Sequence, residues 1–263
     1  MHTVTSRDGT TIAFERTGEG PPLLLVGGAL NDRHAAATVA ALLAPSFTVY
    51  AYDRRGRGDS GDTPPYAVER EVDDLQALVE DAGGTAYAYG HSSGAVLALE
   101  LAAATKGITK LVLYEPPFIL DDSRSPVPDD YVEHLDELAS SDRRGEAVEY
   151  FMVNGVGLPP EAIPSVKESP FWPSLERVAH TLPYDARIMG ENLAGKPLRA
   201  DGWTSVTTPT LVIDGGASPP WLGTAVQALV DVLPDARRLT MEGQTHEVDP
   251  NLLVSVLKDF FTG

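Results

Sequence analysis

The sequence predicts an α/β fold built around a mostly parallel sheet. In the first half, apolar runs of strand length alternate with segments whose apolar residues recur at helical spacing, as in consecutive βαβ units. Residues 118–201 carry only helical periods, prolines and aromatic side chains, and strand-like runs return after them. These observations favour one large α/β domain that is interrupted by a helical insertion.

Length, composition and charge restrict the classes of function. A chain of 263 residues can bury a core as one large domain. It has no cysteine, which excludes disulfides, thiolate catalysis and cysteine-ligated metals. The formal net charge of -18 argues against nucleic acid and against an anionic membrane surface as partners, because binding either needs clustered Lys and Arg.

The amino terminus and the hydropathy pattern indicate a cytoplasmic protein. The first residues lack a basic start followed by an apolar run, so we predict no signal peptide. No apolar stretch approaches the ~20 residues that a membrane helix requires. We therefore expect a cytoplasmic protein without a membrane partner, either a monomer or a homodimer.

The first half of the chain divides into clear elements. Two strand-like runs, 3–6 and 11–15, flank an Asp-Gly pair and predict an opening hairpin. The run 22–26 is apolar throughout and ends at two glycines, as a buried strand would. The elements that follow are helix 32–43, strand 47–52, helix 68–81, strand 85–89, helix 95–104 and strand 110–114.

The second half contains the insertion and the end of the sheet. A strand-free block of this length after a strand indicates a helical lid over the sheet, so the core is predicted as 1–117 and 202–263 and the cap as 118–201. The cap helices are predicted over 129–138, 145–153 and 175–181. After the cap we predict strand 209–214, helix 221–232, strand 237–241 and helix 251–261.

The sequence Gly90-His91-Ser92-Ser93-Gly94 has the form of a nucleophile elbow, G-x-S-x-G. Its glycines leave room for a turn so sharp that the serine takes a strained conformation and presents its hydroxyl at the top of a sheet. A bare match is also typical of an ordinary Gly-Ser turn. Here a strand-like run precedes the motif and an Ala-rich apolar helix follows it, which favours a nucleophilic serine.

Four motifs, in order along the chain, resemble those of the α/β-hydrolase fold superfamily. They are residues 27–29 after the third strand, 52–60 after the fourth, the elbow 90–94, and 243–246 after the last strand. The resemblance covers essentially the whole chain and implies an eight-stranded sheet flanked by helices, with a helical cap after the sixth strand. It also implies that the arginine-rich loop 52–60 is structural, with Asp53 and Asp59 paired to its arginines.

His246 is the predicted general base. A serine hydroxyl is a weak nucleophile and needs a base within hydrogen-bond reach. His246 lies in the loop after the last strand, which agrees with the order serine, acid, histidine in this fold. The other histidines lie inside the elbow, at the terminus, near the third-strand loop or in the cap, and are poorer candidates.

The acid is the point at which the sequence departs from the family pattern. Most relatives carry it in the loop after the seventh strand, where this chain has Ser218, which cannot supply the charge that stabilises an imidazolium. Glu115 at the end of the sixth strand and Asp214 at the end of the seventh are the available carboxylates. We favour Glu115, because some haloalkane dehalogenases of this fold place their acid there, and Asp214 stays open as the alternative.

The resemblance also implies an oxyanion hole and an apolar pocket. The backbone N–H groups of Ser93, directly after the nucleophile, and of Ala29 are the predicted donors. Trp172, Trp221 and Met152 are candidate substrate-binding residues. Neither a metal nor an organic cofactor is implied.

Together these residues favour a serine hydrolase, resembling a carboxylesterase, that cleaves an ester, lactone or thioester of a small apolar substrate through an acyl-enzyme. The expected partner is a small-molecule substrate. Two other classes stay open. One is a non-hydrolytic cyclase or lyase that acts on a biosynthetic intermediate, and the other is a ligand-binding protein with a degenerate site, against which the intact Ser92 and His246 argue.

Overall fold

In a computed structural model, which describes residues 1–199 and 202–263, the strands form one eight-stranded sheet. The strands are β1 (His2–Thr5), β2 (Thr11–Thr17), β3 (Pro22–Val26), β4 (Thr48–Tyr52), β5 (Ala86–His91), β6 (Ile108–Tyr114), β7 (Thr210–Gly215) and β8 (Ala236–Met241). Their order is β1-β2-β4-β3-β5-β6-β7-β8. The pairs β1–β2 and β2–β4 are antiparallel and all the others are parallel. The predicted fold class is confirmed.

Helices cover both faces of this sheet. They are α1 (Ala37–Leu43), α2 (Val68–Asp81), α3 (Ser93–Ala104), α4 (Tyr131–Ser140), α5 (Arg144–Tyr150), α6 (Ile163–Lys167), α7 (Trp172–Val178), α8 (Leu182–Met189), α9 (Pro220–Val232) and α10 (Pro250–Thr262). On one face α2, α3 and α9 bury Leu75, Leu97 and Leu229, and on the other α1 and α10 bury Leu43 and Leu257. Each such leucine contributes roughly 1.5–3 kcal/mol by burial. Within the described ranges, no helix is long and apolar enough to cross a bilayer.

The inserted segment, defined as the residues between β6 and β7, contains α4 to α8. A π-helical turn, Phe151–Val156, directly follows α5. The predicted helices correspond to α4, α5 and α7 within a few residues, whereas α6 and α8 were not predicted. Each of these two has a proline in its first turn, Pro164 and Pro183, and such a proline is tolerated there because that N–H has no helical partner. The predicted end of the cap, residue 201, lies outside the described residues.

The parallel strands bring the predicted functional loops together. Because β3, β4, β5, β6, β7 and β8 run in the same direction, their carboxyl ends lie at one edge of the sheet. In open α/β sheets this is the edge at which ligands bind. The loops after β3, β5, β6 and β8, which carry the predicted catalytic and oxyanion-hole residues, all begin there.

Candidate active site

Ser92 lies in a sharp turn between β5 and α3. Its φ of 58° and ψ of -129° are rarely adopted by a residue that has a side chain. A Cβ at Gly90 would lie 2.5 Å from the carbonyl oxygen of Gly94, and a Cβ at Gly94 would lie 2.3 Å from that of Val26. Both positions therefore require glycine. The turn holds Ser92 at the edge where the parallel strands end.

Glu115 and His246 form a hydrogen bond at this edge. Oε2 of Glu115 lies 2.7 Å from Nδ1 of His246, and Oε1 accepts from the N–H of Gly215 at 2.7 Å. Glu115 is fully buried, whereas the His246 side chain is 35% exposed. A carboxylate only accepts hydrogen bonds, so Nδ1 carries the proton and Nε2 is left as the basic nitrogen.

Asp214 has different partners. Its two carboxylate oxygens accept from Nε and Nη2 of Arg238 at 2.9 and 2.8 Å, and Oδ1 also accepts from the hydroxyl of Thr240 at 3.0 Å. Both partners lie on β8, the neighbouring strand. Of the two carboxylates that the sequence left open, the structure thus brings Glu115, and not Asp214, to His246.

Two side chains hold the loop that carries His246. The Tyr114 hydroxyl donates to the carbonyl of Thr245 at 2.6 Å, and Nε2 of His91 lies 2.9 Å from the carbonyl of His246. Burial lowers the pKa of His91 to about 4, and the nearby His246 adds to the effect. His91 is therefore neutral at pH 7 and donates its Nε2–H to that carbonyl. This fixes the backbone from which the His246 ring projects.

The loops predicted to form an oxyanion hole meet at Ser92. A Cβ at Gly28 would lie 2.9 Å from the Cβ of Ser92, so only glycine permits this approach. Ala29, the next residue, lines the same cavity as Ser92 and Ser93. Ser93 is the first residue of α3, where a backbone N–H has no partner within the helix and the helix dipole is positive.

A cavity of about 170 Å³ lies between the sheet edge and the inserted segment. On the sheet side its walls include Ala29, Ser92, Ser93, Trp221 and His246, and Pro117, just after β6, adjoins them. On the side of the inserted segment they include Tyr131, Phe151, Val156, Asp185, Met189 and Leu193. Among the described residues, no group of three or more His, Asp or Glu side chains could hold a metal ion.

Of the three predicted substrate-binding residues, Trp221 lines this cavity. Trp172 is buried in the hydrophobic core, and Lys167 lies over its ring. Met152, in the π-helical turn, packs against the same core. Trp172 and Met152 do not contribute to the cavity wall, because helical periodicity does not tell which side of the inserted segment faces the sheet.

Asp185, on α8, binds two arginines and a serine in the interior. Its Oδ1 accepts from Nη1 of Arg54 at 2.6 Å and from the hydroxyl of Ser93 at 2.7 Å, and its Oδ2 accepts from Nη2 of Arg57 at 2.6 Å. Burial alone would raise the pKa of Asp185, but the charges of Arg54 and Arg57 and the Ser93 hydrogen bond outweigh it and lower the pKa. The carboxylate is therefore ionised at neutral pH.

The arginine-rich loop 52–60 does not pair as expected. Asp53 and Asp59 were predicted to bind its arginines, but both bind Arg33, which precedes α1. The tight turn causes this, since Asp53 lies against the backbone at Gly58, where a Cβ would be 2.1 Å from its carboxylate. The loop arginines bind other carboxylates: Arg54 binds Glu71 and Asp185, Arg55 binds Asp74 and Asp8, and Arg57 binds Asp185.

Sequence reasoning did not find Asp185. One signal for it exists, because Asp185 lies among the buried residues Leu182, Ala186 and Met189 of α8. An acidic residue on the buried face of a helix is rare unless it is paired with a cation. The sequence prediction missed this signal because it did not include α8.

The fold and this site define an α/β hydrolase. A strained serine turn after one strand and a histidine in a loop after a later one are the arrangement typical of that fold. A sequence model of the alpha/beta hydrolase family matches residues 23–253. The chain belongs to the alpha/beta hydrolase family, and the resemblance stated from its motifs is confirmed.

Individual relatives support the same assignment. The chain is 54% identical to an alpha/beta hydrolase of solved structure from Sphaerobacter thermophilus, with a TM-score of 0.93 over 99% of this chain and 100% of that chain. It is 34% identical over 116 residues to an uncharacterized hydrolase, YraK, from Bacillus subtilis, a match that covers 43% of each protein. It is 37% identical over 82 residues to the lipase LipV from Mycobacterium tuberculosis, covering 30% of this chain and 31% of the lipase. The matched stretches thus span less than half of either curated relative.

Proposed function

We propose that this protein is a serine hydrolase of the carboxylesterase kind, which cleaves a carboxylic ester, lactone or thioester of a small apolar substrate through an acyl-enzyme. The observation that carries the proposal is the 2.7 Å contact between Glu115 and His246 at the edge where the strained turn holds Ser92. This is the acid–histidine pair that a serine nucleophile requires. The names of the relatives, hydrolase and lipase, accord with it.

In the first half-reaction, Oγ of Ser92 attacks the substrate carbonyl carbon and its proton passes to Nε2 of His246. The carbonyl oxygen becomes an oxyanion, to which the N–H groups of Ala29 and Ser93 donate. Collapse of this intermediate breaks the bond to the alkoxide or thiolate, which takes the proton from His246 and leaves as an alcohol or thiol. Ser92 then carries the acyl group as an ester.

In the second half-reaction, water attacks the acyl carbon and gives its proton to His246. A second oxyanion forms at the same two N–H groups, and its collapse breaks the ester bond to Ser92. Oγ recovers the proton from His246 and the carboxylic acid is released. Glu115 stabilises the imidazolium in both halves.

The inserted segment acts in this proposal as a cap that encloses the substrate. Its side chains form one wall of the 170 Å³ cavity, and the residues around Ser92 form the other. Tyr131, Phe151, Val156 and Met189 make that wall mostly apolar, which favours a small apolar group over a charged one. Trp221, the predicted pocket residue that lines the cavity, lies in the opposite wall.

The proposal is tested with 4-nitrophenyl acetate and 4-nitrophenyl butyrate as substrates. We expect the native protein to hydrolyse them and Ser92→Ala to lower kcat by about 10³-fold or more. Ser218→Ala is the matched control, because it also removes one hydroxyl from a loop at this edge, at the position where most relatives carry the acid. Its kcat should stay within about twofold of the native value. Full turnover by Ser92→Ala would overturn the proposal.

A further inference from the structure

A buried arginine connects α8 to the loop after β3. Arg57 is 1% exposed, and its Nη2 donates to Asp185 at 2.6 Å. Its Nη1 donates to the carbonyl of Gly28 at 2.7 Å and to that of Asn31 at 3.1 Å. The peptide group whose oxygen is on Gly28 has its N–H on Ala29. A hydrogen bond to this oxygen therefore fixes the direction of the Ala29 N–H, because the peptide is planar.

The same carboxylate reaches the second oxyanion donor. Oδ1 of Asp185 accepts from the hydroxyl of Ser93 at 2.7 Å. Ser93 carries the other N–H of the proposed oxyanion hole on its backbone. Asp185 thus holds one donor residue directly and the other through Arg57, so both halves of the hole depend on one side chain of the inserted segment.

A purely structural role does not account well for this arrangement. Replacing a buried ion pair by apolar residues of similar volume is often neutral or stabilising, because desolvation offsets the attraction between the charges. The neighbouring Arg55, which is 0% exposed and binds Asp74 and Asp8, already ties the loop to α2 and to the opening hairpin. What Arg57 adds is contact with the loop that carries Ala29.

We propose that Asp185 and Arg57 are positioning residues that set the geometry of the oxyanion hole, so that α8 must be docked on the sheet edge for efficient turnover. The inference rests on the proposed function, because it needs an oxyanion at Ala29 and Ser93. Neither side chain bonds to the reacting atoms. Each acts through a backbone N–H, and a displacement of such a donor by about 1 Å lowers turnover by up to about 10²-fold.

The experiment compares Arg57→Lys and Asp185→Asn with Arg55→Lys on 4-nitrophenyl acetate. Arg55 is the matched control, since it is a buried arginine of the same loop with two carboxylate partners, and none of its hydrogen bonds or ion pairs reaches residues 27–31. Rates are divided by the number of sites titrated with a fluorophosphonate, so that unfolded protein does not count. We expect Arg57→Lys and Asp185→Asn to lower kcat about 10-fold or more with KM within about twofold, and Arg55→Lys to lower the melting temperature but not kcat.

A second measurement separates positioning from general damage. An alkyl trifluoromethyl ketone adds to Ser92 and places an oxyanion in the same hole. Its inhibition constant should rise in proportion to the loss of kcat/KM across the variants, because transition-state analogues report the same interactions. If Asp185→Asn does not fold, Ser93→Ala, which removes only the hydroxyl bonded to Asp185, takes its place with an expected loss of about 3- to 10-fold.

The outcomes distinguish the two proposals. If the native protein turns over esters through Ser92 but Arg57→Lys and Asp185→Asn keep native kcat and inhibitor affinity per titrated site, the positioning role is wrong and the proposed function stands. A loss of kcat in Arg55→Lys as large as that in Arg57→Lys would also overturn the positioning role. If the native protein neither hydrolyses the esters nor reacts with the fluorophosphonate, both proposals fall.

Discussion

Glu115 holds an unusual backbone conformation at the end of β6. Its φ of 44° lies in the left-handed region, which costs a residue with a long side chain about 1–3 kcal/mol. Two bonds to β7 offset this strain: the N–H of Glu115 donates to Ile213 at 2.9 Å, and Oε1 accepts from Gly215 at 2.7 Å. The conformation brings the carboxylate past the end of β7 to the ring of His246.

We expect Glu115→Gln to lower kcat strongly while the fold is kept. A glutamine whose carbonyl accepts from the N–H of Gly215 presents its NH₂ to Nδ1 of His246, which favours the wrong tautomer, and a neutral amide cannot stabilise the imidazolium. The equivalent change in a serine protease lowers kcat by about 10⁴-fold. The measurement is kcat for 4-nitrophenyl acetate, with circular dichroism to verify folding.

Asp214→Asn is the matched control for that change. Asp214 binds Arg238 and Thr240 on β8 and does not contact His246. We expect a lower melting temperature, because Arg238 loses its ionic partner, and a kcat within about threefold of the native value. If Asp214→Asn lost more activity than Glu115→Gln, the assignment of the acid would be reversed.

His91 should make the protein less stable as the pH falls below neutral. In the fold it binds a proton only near pH 4, whereas in the unfolded chain it binds one near pH 6.5. The unfolded chain therefore binds more protons between these values, and the free energy of unfolding falls as the pH is lowered through this window. Between pH 7 and pH 5 the titration of His91 lowers the free energy of unfolding by an amount of order 1–2 kcal/mol.

His91→Gln should remove this part of the pH dependence. Glutamine keeps a donor for the carbonyl of His246 but does not titrate. In urea unfolding at several pH values, the stability difference between the native protein and the variant should shift in favour of the variant as the pH falls. The exposed His34→Gln controls for the substitution itself. Parallel curves for the native protein and His91→Gln would refute the assignment of a neutral His91.

At the scale of elements, α3 is positioned by a glycine. Gly94 lies in its first turn, and the helix crosses the end of β3 so closely that a Cβ at Gly94 would be 2.3 Å from the carbonyl oxygen of Val26 and 2.6 Å from that of Gly27. Helix propensity alone favours alanine over glycine by about 1 kcal/mol. At position 94 the clash with the backbone outweighs the helix propensity of alanine, because neither carbonyl can move without disturbing β3.

We therefore expect Gly94→Ala to destabilise the protein by about 2 kcal/mol or more. Gly223→Ala in α9 is the control, since its Cβ would be 2.9 Å from Nη2 of Arg238, the end of a flexible side chain that can move. That variant should stay within about 1 kcal/mol of the native stability. Chemical unfolding measures both, and equal stabilities for the two variants would contradict the role of Gly94.

The core elements could be predicted because each carries a local signal. The apolar run of β3 and the alanine-rich α3 leave little choice of structure, and the parallel sheet follows from their alternation. α6 and α8 lacked such a signal, because prolines at their first turns resemble breakers in a sequence. The pairing of the arginines was also out of reach, since Arg54 and Arg57 bind Asp185, more than a hundred residues away.

The candidate site was likewise predictable only in part. Ser92 and His246 were predicted because each lies in a motif whose spacing is local. The choice between Glu115 and Asp214 depends on the directions of two side chains at the ends of neighbouring strands, which a sequence pattern does not contain. The wall contributed by the inserted segment depends on how α4, α5 and α8 dock, and so Trp172 and Met152 were selected although they lie outside the cavity.

At the scale of the whole molecule, the charge is strongly unbalanced. The formal net charge is -18, and several of the 20 Lys and Arg side chains are buried in ion pairs, among them Arg54, Arg55 and Arg57. Buried carboxylates accompany these buried arginines, so most of the excess negative charge lies at the surface. Such an excess repels itself and destabilises the compact state.

We expect added salt to stabilise the protein. Screening weakens repulsion between exposed carboxylates, whereas buried pairs such as Arg54–Glu71 and Arg55–Asp74 are screened much less. The melting temperature should rise by a few degrees between about 0.02 M and about 0.5 M NaCl, measured by thermal unfolding. A fall in melting temperature would mean that exposed ion pairs, and not repulsion, dominate the electrostatics of the surface.

Ser92 is proposed to be an activated nucleophile, and intact-mass spectrometry after treatment with a fluorophosphonate measures that reactivity. We expect one adduct on the native protein, located on Ser92 by peptide mapping, and none on Ser92→Ala. Labelling of Glu115→Gln should be much slower than that of Asp214→Asn. An unlabelled native protein, or an adduct that persists in Ser92→Ala, would show that Ser92 is not the activated nucleophile.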